Sequence, residues 1–330
     1  MIERIAITGS SGYYGRKFIE YLRRVAPEVR ILGVDIVAPT DGVPDEFQLI
    51  DVRSPKVRTV LGDFRPDTIL HLAFVVNPIR DLQKMHEINV VGTQNIMEAV
   101  RAIRPRRFQL SSSATAYGAW PDNPVPIEES WPLRACGTLQ YALDKVRIEE
   151  DVQKLAAELP EVAVSWTRPA VICGAGIKNY IIDVMLHYPI VILPNGRDVP
   201  LQFVHEQDLV AATWEILSRD ARGAFNVAPP DWVGMVEVGR LTNRWAVSSP
   251  FWIMKSLAVI RWAMRFPHPN FPPGFADFFR YPWVVTPARL ERELGFRFQH
   301  SSREILIRMW MEYRHSVGKS VREPAAPSRV

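Results

Sequence analysis

The sequence predicts a doubly wound α/β fold built on a parallel sheet. Three observations predict it: strand and helix patterns alternate from the first residues, the strand patterns are continuous apolar runs, and the first strand ends in a glycine-rich turn that opens a helix. Strands covered by helices on both faces read as unbroken apolar runs, whereas strands with one wet face alternate. A glycine turn between a first strand and a first helix belongs to the same architecture.

Each element follows in order. Ile5-Ala6-Ile7 is the first strand, and a helix pattern runs over about residues 12–25. Ile31-Leu32-Gly33-Val34-Asp35 is the second strand and Phe47-Gln48-Leu49-Ile50-Asp51 the third. Ile69-Leu70-His71-Leu72-Ala73 and Phe108-Gln109-Leu110-Ser111 are the fourth and fifth, with a long helix pattern over residues 82–103 between them. A helix from about Thr138 to Leu159 leads to the sixth, Val162-Ala163-Val164-Ser165-Trp166. Beyond Arg168 strands become short and proline-flanked. Residues 1–168 are therefore expected to form the sheet domain. Residues 169–330 are expected to be mainly a substrate lobe, with some elements returning to the sheet.

Composition bounds the function classes. The chain has 330 residues, 47% of them hydrophobic, and a formal net charge of +4. Its one basic cluster, Arg101, Arg104, Arg106 and Arg107, lies at the end of a helix pattern and reads as a solvated helix end facing its own dipole. Nucleic acid is not an expected partner. Cys136 and Cys173 give neither a disulfide framework nor metal-ligand spacing, so no metal is expected and a reducing cytoplasm fits. No apolar run reaches the roughly 18 residues of a membrane span, and the N-terminus enters a strand without a charged leader. Segment 251–283 is rich in Phe, Trp and Tyr and reads as a helical cap on the core; a substrate lid and a membrane or partner contact are the alternatives.

The chemistry starts at Thr8-Gly9-Ser10-Ser11-Gly12-Tyr13-Tyr14-Gly15. Glycines spaced by three permit a tight turn and let backbone N–H groups approach a pyrophosphate at a helix N-terminus. Asp35, at the end of the second strand, is placed to accept the adenosine ribose hydroxyls and to repel a 2′-phosphate. NAD is thus expected in preference to NADP, although Arg16 pulls the other way. Tyr141 and Lys145 are four apart and share one helix face. A tyrosine with its pKa near 10 is a poor base at neutral pH, and a nearby ammonium favours the phenolate. Ser111-Ser112-Ser113 sets a hydroxyl at the carboxyl edge of the sheet, where ligands of this fold bind. The Tyr141 helix carries apolar residues on two sides, one of which a second subunit is expected to cover, giving a homodimer.

With these motifs the chain resembles the extended short-chain dehydrogenase/reductases, or NAD-dependent epimerase/dehydratase family, over roughly residues 1–230. The shared motifs are Thr8–Gly15, Asp35, Asp51-Val52, His71-Leu72-Ala73, Asn89-Val90-Val91-Gly92-Thr93, Ser111–Gly118, Tyr141–Lys145, Arg168-Pro169, and Phe203-Val204-His205 with Asp208. A weaker match near 281–315 includes Leu294-Gly295-Phe296. The resemblance implies a Rossmann fold and cofactor contacts from Gly9, Ser11, Gly12, Tyr13, Tyr14, Gly15 and Ser111. It implies that Asp51 and Val52 contact adenine, that Leu72 and Ala73 lie against the cofactor, and that Asn89 stands behind the nicotinamide side. Ser113 would bond the substrate oxygen, Tyr141 would exchange its proton, and Lys145 would hold the nicotinamide ribose. His205 and Asp208 would brace a turn and helix start.

Departures from the family narrow the reaction. Ala114-Thr115-Ala116 follows Ser113 where sugar-nucleotide dehydratases carry an Asp-Glu pair, so no acid is placed there to expel water. Val171-Ile172-Cys173 and Pro200-Leu201-Gln202-Phe203 lack the asparagine and arginine that many nucleotide-sugar epimerases use, leaving Arg197 and Arg280 as candidate diphosphate clamps. The leading expectation is a dehydrogenase/reductase acting on a small, partly apolar carbinol or ketone. A nucleotide-sugar 4-epimerase with retained NAD is the alternative. A nicotinamide-sensing or scaffold protein is a third, and an intact Ser113, Tyr141 and Lys145 set speaks against it.

Overall fold

Helices on both faces bury the apolar runs, and the strand order decides where a ligand can enter. In the computed structural model, which describes residues 1–137, 139–177, 179–266 and 271–316, the chain opens with β1 (Arg4–Thr8), α1 (Tyr13–Val25), β2 (Arg30–Asp35) and β3 (Glu46–Leu49). Next come α2 (Lys56–Phe64), β4 (Thr68–His71), α3 (Leu82–His86), a π-helical stretch (Glu87–Val91), α4 (Gly92–Ile103) and β5 (Arg107–Ser111). A 3₁₀ turn (Ala114–Tyr117), α5 (Gln140–Glu158) and β6 (Ala163–Pro169) follow. Then β7 (Val171–Cys173), α6 (Tyr180–His187), β8 (Val191–Pro194), β9 (Pro200–Leu201), β10 (Phe203–His205), α7 (Glu206–Ser218) and β11 (Gly223–Val227) lead towards the C-terminal part. That part holds β12 (Val233–Gly234), α8 (Met235–Leu241), β13 (Ala246–Ser249), α9 (Phe251–Ala263), a 3₁₀ stretch (Pro273–Phe279), α10 (Ala288–Leu294) and α11 (Ser302–Ser316). Thr138, where the sequence places the start of the helix before the sixth strand, lies outside the described residues.

The main sheet runs β11-β6-β5-β4-β1-β2-β3, and every pair is parallel. The order reverses between β1 and β4, which opens a crevice at the carboxyl ends of the strands. One face is covered by α1 and α7, whose Phe18, Ile19 and Leu22 meet Val210 and Leu217. The other is covered by α2, α4 and α5 through Val57, Leu61, Ile96, Val100, Ile148 and Val152. No described helix is long and apolar enough to cross a membrane.

All six expected strands are present. β3 and β4 each end two residues early, and β6 continues to Pro169. α2 has no counterpart in the sequence reading, although Val57, Leu61 and Phe64 fall at helical spacing on one buried side. The arginine cluster needs a correction. Arg101, Arg104 and Arg106 make surface ion pairs with Glu158, Glu161 and Asp220, but Arg107 is a buried β5 residue ion-paired to Asp220 at 2.6 Å. The aromatic segment also divides: Phe271, Phe275, Phe278 and Trp283 are buried core, whereas α9 keeps much of its surface exposed.

Candidate active site

The glycine turn is shaped by close backbone approach. Gly9 adopts φ +74°, and a Cβ there would stand 2.6 Å from the Leu72 carbonyl carbon. That approach exists because the Leu72 N–H donates to the Thr8 carbonyl at 2.9 Å as β4 ends beside β1. A Cβ on Gly15 would overlap the Gly9 carbonyl, so both glycines fix how α1 leaves the strand. Gly12 begins α1 with no side-chain cap, and the first turn holds no acid. Its N–H groups are thereby left to an anion, and the donor set fits a dinucleotide pyrophosphate.

The flanking side chains have specific tasks. Tyr14 sends its hydroxyl to that of Thr213 on α7, so it serves the turn through its backbone; burial pushes its phenol up. Ser11 donates its N–H to Asp35 Oδ2 at 2.9 Å and its hydroxyl to the Val37 carbonyl at 2.6 Å. Asp35 Oδ1 accepts from the N–H groups of Ile36 and Val37 at 2.7 and 3.2 Å, so its carboxylate is already oriented by backbone. Arg16 is held by both oxygens of Asp41, which takes up the charge that a 2′-phosphate would need. Asp51 is gripped by Arg53 at 2.7 Å, which holds its carboxyl below the ordinary carboxylate range. Val52 packs beneath Gly92, and its carbonyl accepts from Asn95 at 2.7 Å.

Asn89 stands one layer behind the cleft, on the π-helical stretch. Its Oδ1 accepts from the Val75 N–H at 2.8 Å while its Nδ2 donates to Asp144 on α5 at 3.2 Å. It thus ties the Phe74–Val76 segment, which lines the cleft, to the helix that carries Tyr141.

A cleft of about 340 Å³ brings together Gly9, Gly12, Tyr13, Tyr14, Gly15, Leu72, Ser111, Ser113, Tyr141 and Lys145. Ser11, Asp35, Asp51, Val52, Ala73 and Asn89 are not among the residues that line it. The Ser113 Oγ accepts from the Thr115 hydroxyl at 2.9 Å and from the Thr115 N–H at 3.2 Å, leaving its own proton to donate outward. Lys145 Nζ donates to the Ser111 carbonyl at 2.6 Å and lies 3.1 Å from the centre of the Phe74 ring. Burial pushes this ammonium well below its ordinary pKa, with Glu149 and Asp144 opposing.

The expected lowering of the Tyr141 pKa is not met. Burial pushes the phenol up to about 12, and only the Ser113 hydroxyl pulls it back. Lys145 Nζ is 5.5 Å from the Tyr141 ring centre and committed to Ser111, so desolvation outweighs its field.

Arg197 and Arg280 meet elsewhere. Their guanidinium carbons stand 5.4 and 5.0 Å from the Tyr281 ring centre, and neither residue lines the cleft. His205 caps α7, its ring accepting the Gln207 N–H at 3.3 Å, and Asp208 accepts from the N–H groups of Gln299 and His300 at 3.0 Å each.

Sequence reasoning missed three residues that support the site. Phe74 faces Lys145, and Thr115 orients Ser113. Glu149 is fully buried and takes hydrogen bonds from Arg168 at 2.6 Å, from Trp166 at 2.7 Å and from the Ser112 hydroxyl. Arg168 in turn donates to Tyr117 at 2.6 Å. The available signal was spacing: Tyr141, Lys145 and Glu149 continue one face of α5.

Known proteins resemble this chain over most of its length. A Mycobacterium tuberculosis protein without an assigned function is 27% identical over 301 residues, covering 89% of this chain and 79% of its own. The GDP-6-deoxy-D-mannose reductase of Pseudomonas aeruginosa is 26% identical, over 69% of this chain and 75% of its own. The UDP-glucose 4-epimerase of Thermus thermophilus, solved in complex with NAD, shares the fold with a TM-score of 0.72 at 20% identity, covering 94% of this chain and 99% of its own. The model of the NAD dependent epimerase/dehydratase family matches residues 5–228. That match takes in the glycine turn, Ser113, Tyr141 and Lys145 and spans well over half of the sequence, so the chain belongs to the NAD dependent epimerase/dehydratase family, a family of NAD-dependent redox enzymes and epimerases.

Proposed function

We propose that this protein is an NAD-dependent dehydrogenase or reductase acting at a carbinol or ketone carbon of a small, partly apolar molecule. The observation that carries the reading is the convergence of Ser113, Tyr141 and Lys145 with the glycine turn in one cleft. Gly12–Gly15 would hold the pyrophosphate on backbone N–H groups, Asp35 the adenosine ribose, and Asp51 with Val52 the edge of the adenine. Leu72, Ala73 and Ser111 would border the cofactor, and Lys145 would hold the nicotinamide ribose. Bound NAD supplies a carbon that accepts or returns a hydride. Ser113 would donate its outward proton to the substrate oxygen and hold that oxygen against Tyr141. In oxidation, paired with that hydride loss from the carbinol carbon, Tyr141 would take the proton of the carbinol hydroxyl, leaving a ketone; in reduction it would give a proton back to the ketone oxygen. NAD in preference to NADP is supported by Asp35 and by the Arg16–Asp41 pair.

Tyr141→Phe tests this reading. We expect hydride transfer to fall by about 10²–10⁴-fold while NAD affinity changes by less than about threefold. Unchanged turnover of every active substrate would defeat it.

A second reading, a nucleotide-sugar 4-epimerase with retained NAD, is favoured by the nucleotide sugars named for two of the relatives above, whereas its candidate clamps Arg197 and Arg280 meet at Tyr281 outside the cleft. The two differ in cofactor economy: an epimerase turns over with no free NAD, a dehydrogenase consumes it. We further propose residues 1–168 as the cofactor domain, with 169–330 mainly as substrate lobe. A homodimer across the outer side of α5, where Leu143 is exposed, and a cytoplasmic location, in keeping with two free buried cysteines, complete the proposal.

A further inference from the structure

The outer side of α9 is an apolar surface with nothing packed on it among the described residues. Trp252, Ile253, Val259, Ile260 and Met264 are each between 42% and 69% exposed, and they recur over more than three turns. The inner side already has its partner: Met254 and Ala258 close an apolar cavity with Phe271 and Phe279. A contiguous exposed apolar stripe rimmed by cationic side chains marks an interaction site.

Charge and position say which kind. Residues 251–266 carry Lys255, Arg261 and Arg265 and no acid. Lys255 is ion-paired with Asp277 at 2.9 Å, but Arg265 is exposed at the C-terminal end of the helix. Arg80 joins that end, donating to the Trp262 carbonyl at 2.6 Å with its guanidinium 4.5 Å from the Trp262 ring. A twofold contact between two copies would set this acid-free cationic surface against itself. An anionic bilayer answers both features, with acyl chains for the apolar side chains and headgroups for the arginines.

The same helix end leads to the cleft. A pocket of about 180 Å³ is lined by Tyr141 and Tyr180, which also line the cofactor cleft, and by Ile79, Leu82, Met85 and Trp262. Its walls are mainly apolar, and they run from the candidate proton donor to α9.

We propose that α9 lies in the interface of an anionic membrane and presents the Trp262 pocket to it, so that a lipid-soluble alcohol or ketone reaches Tyr141 from the bilayer. The substrate half rests on the redox reading of Tyr141; the docking half does not.

Vesicle flotation of the full-length protein tests the docking. Wild-type protein should float with phosphatidylcholine–phosphatidylglycerol vesicles, less with phosphatidylcholine alone, and less as salt is raised. Trp252→Glu with Ile260→Glu should lower the bound fraction by about tenfold or more and leave NAD binding unchanged. Protein that stays unbound with both vesicle types, whether as a monomer or as a complex with another copy or protein, overturns the proposal, as does a double variant that floats like wild type. If the double variant does not fold, brominated phosphatidylglycerol vesicles give a second reading. They should quench tryptophan emission in wild type, and Trp252→Phe should lose much of that quenching; no quenching, or an equal loss in both, overturns it. For the substrate half, the double variant should lose turnover of a long-chain alcohol held in vesicles and keep turnover of a short soluble one; equal rates on both in wild type and variant overturn it. Loss of all turnover in wild type with flotation intact would instead fault the redox reading.

Discussion

At the scale of single residues, the site depends on where hydroxyl protons point. Ser113 accepts twice from Thr115, so its own hydrogen is directed outward. Thr115→Val removes the hydroxyl donor and keeps the shape. We expect kcat to fall by about tenfold with little change in KM for NAD, read from steady-state kinetics, because one oriented hydrogen bond is lost at the reacting oxygen. Tyr141, with its pKa pushed up to about 12, holds its proton at neutral pH. Oxidation needs that proton gone, so its rate should rise with pH from neutrality towards pH 10, whereas reduction, which uses the protonated phenol, should not rise. A flat oxidation profile would contradict the assignment of Tyr141. These residues were legible in the sequence by type and spacing. Their pKa values were not, because burial depends on the chain around them, and that is why the expected effect of Lys145 on Tyr141 failed.

At the scale of elements, α5 carries the site and its anchor on one face. Glu149 neutralises the buried Arg168 and accepts two further hydrogen bonds, from Trp166 and from the Ser112 hydroxyl, close to Lys145. Glu149→Ala would strand a buried guanidinium, at a cost of about 3–5 kcal/mol, measured by urea denaturation. A loss below about 1 kcal/mol would mean that Arg168 finds another anion or water. The six strands and the long helices were readable because each offered a sustained apolar period. The π-helical stretch at Glu87–Val91 and the short α2 were not; a single displaced turn and a nine-residue helix leave little periodicity to detect. The buried Arg107 was misread because its partner Asp220 is more than a hundred residues away in sequence.

At the scale of the whole molecule, distant segments meet at Glu206. Its carboxyl lies against Gly174 and Tyr13, with Lys17 at 3.9 Å, so it joins α7, the chain after β7 and the glycine turn. Burial, helped by the charge of Glu312, pushes its pKa up to about 7. The folded protein therefore binds this proton more tightly than the unfolded chain does. Stability contributed here is present below about pH 4.5, falls as pH rises towards 7, and is lost above it. Glu206→Gln should remove that decline and stabilise the protein above pH 7 by on the order of 2 kcal/mol, read as a difference between melting curves at pH 5 and pH 8. Identical pH dependence in variant and wild type would contradict it. The sheet order and the second-half core that create this meeting point follow from long-range packing, which periodicity along the chain does not encode.

A crystal structure of the NAD complex would show directly whether the cleft holds NAD with its reactive ring beside Tyr141. Pyrophosphate oxygens should lie on the N–H groups of residues 12–15, the adenosine ribose on Asp35, and the nicotinamide ring against Ser111, Tyr141 and Lys145. NAD bound away from the glycine turn, or with its nicotinamide turned out of the cleft and away from Tyr141, would contradict it.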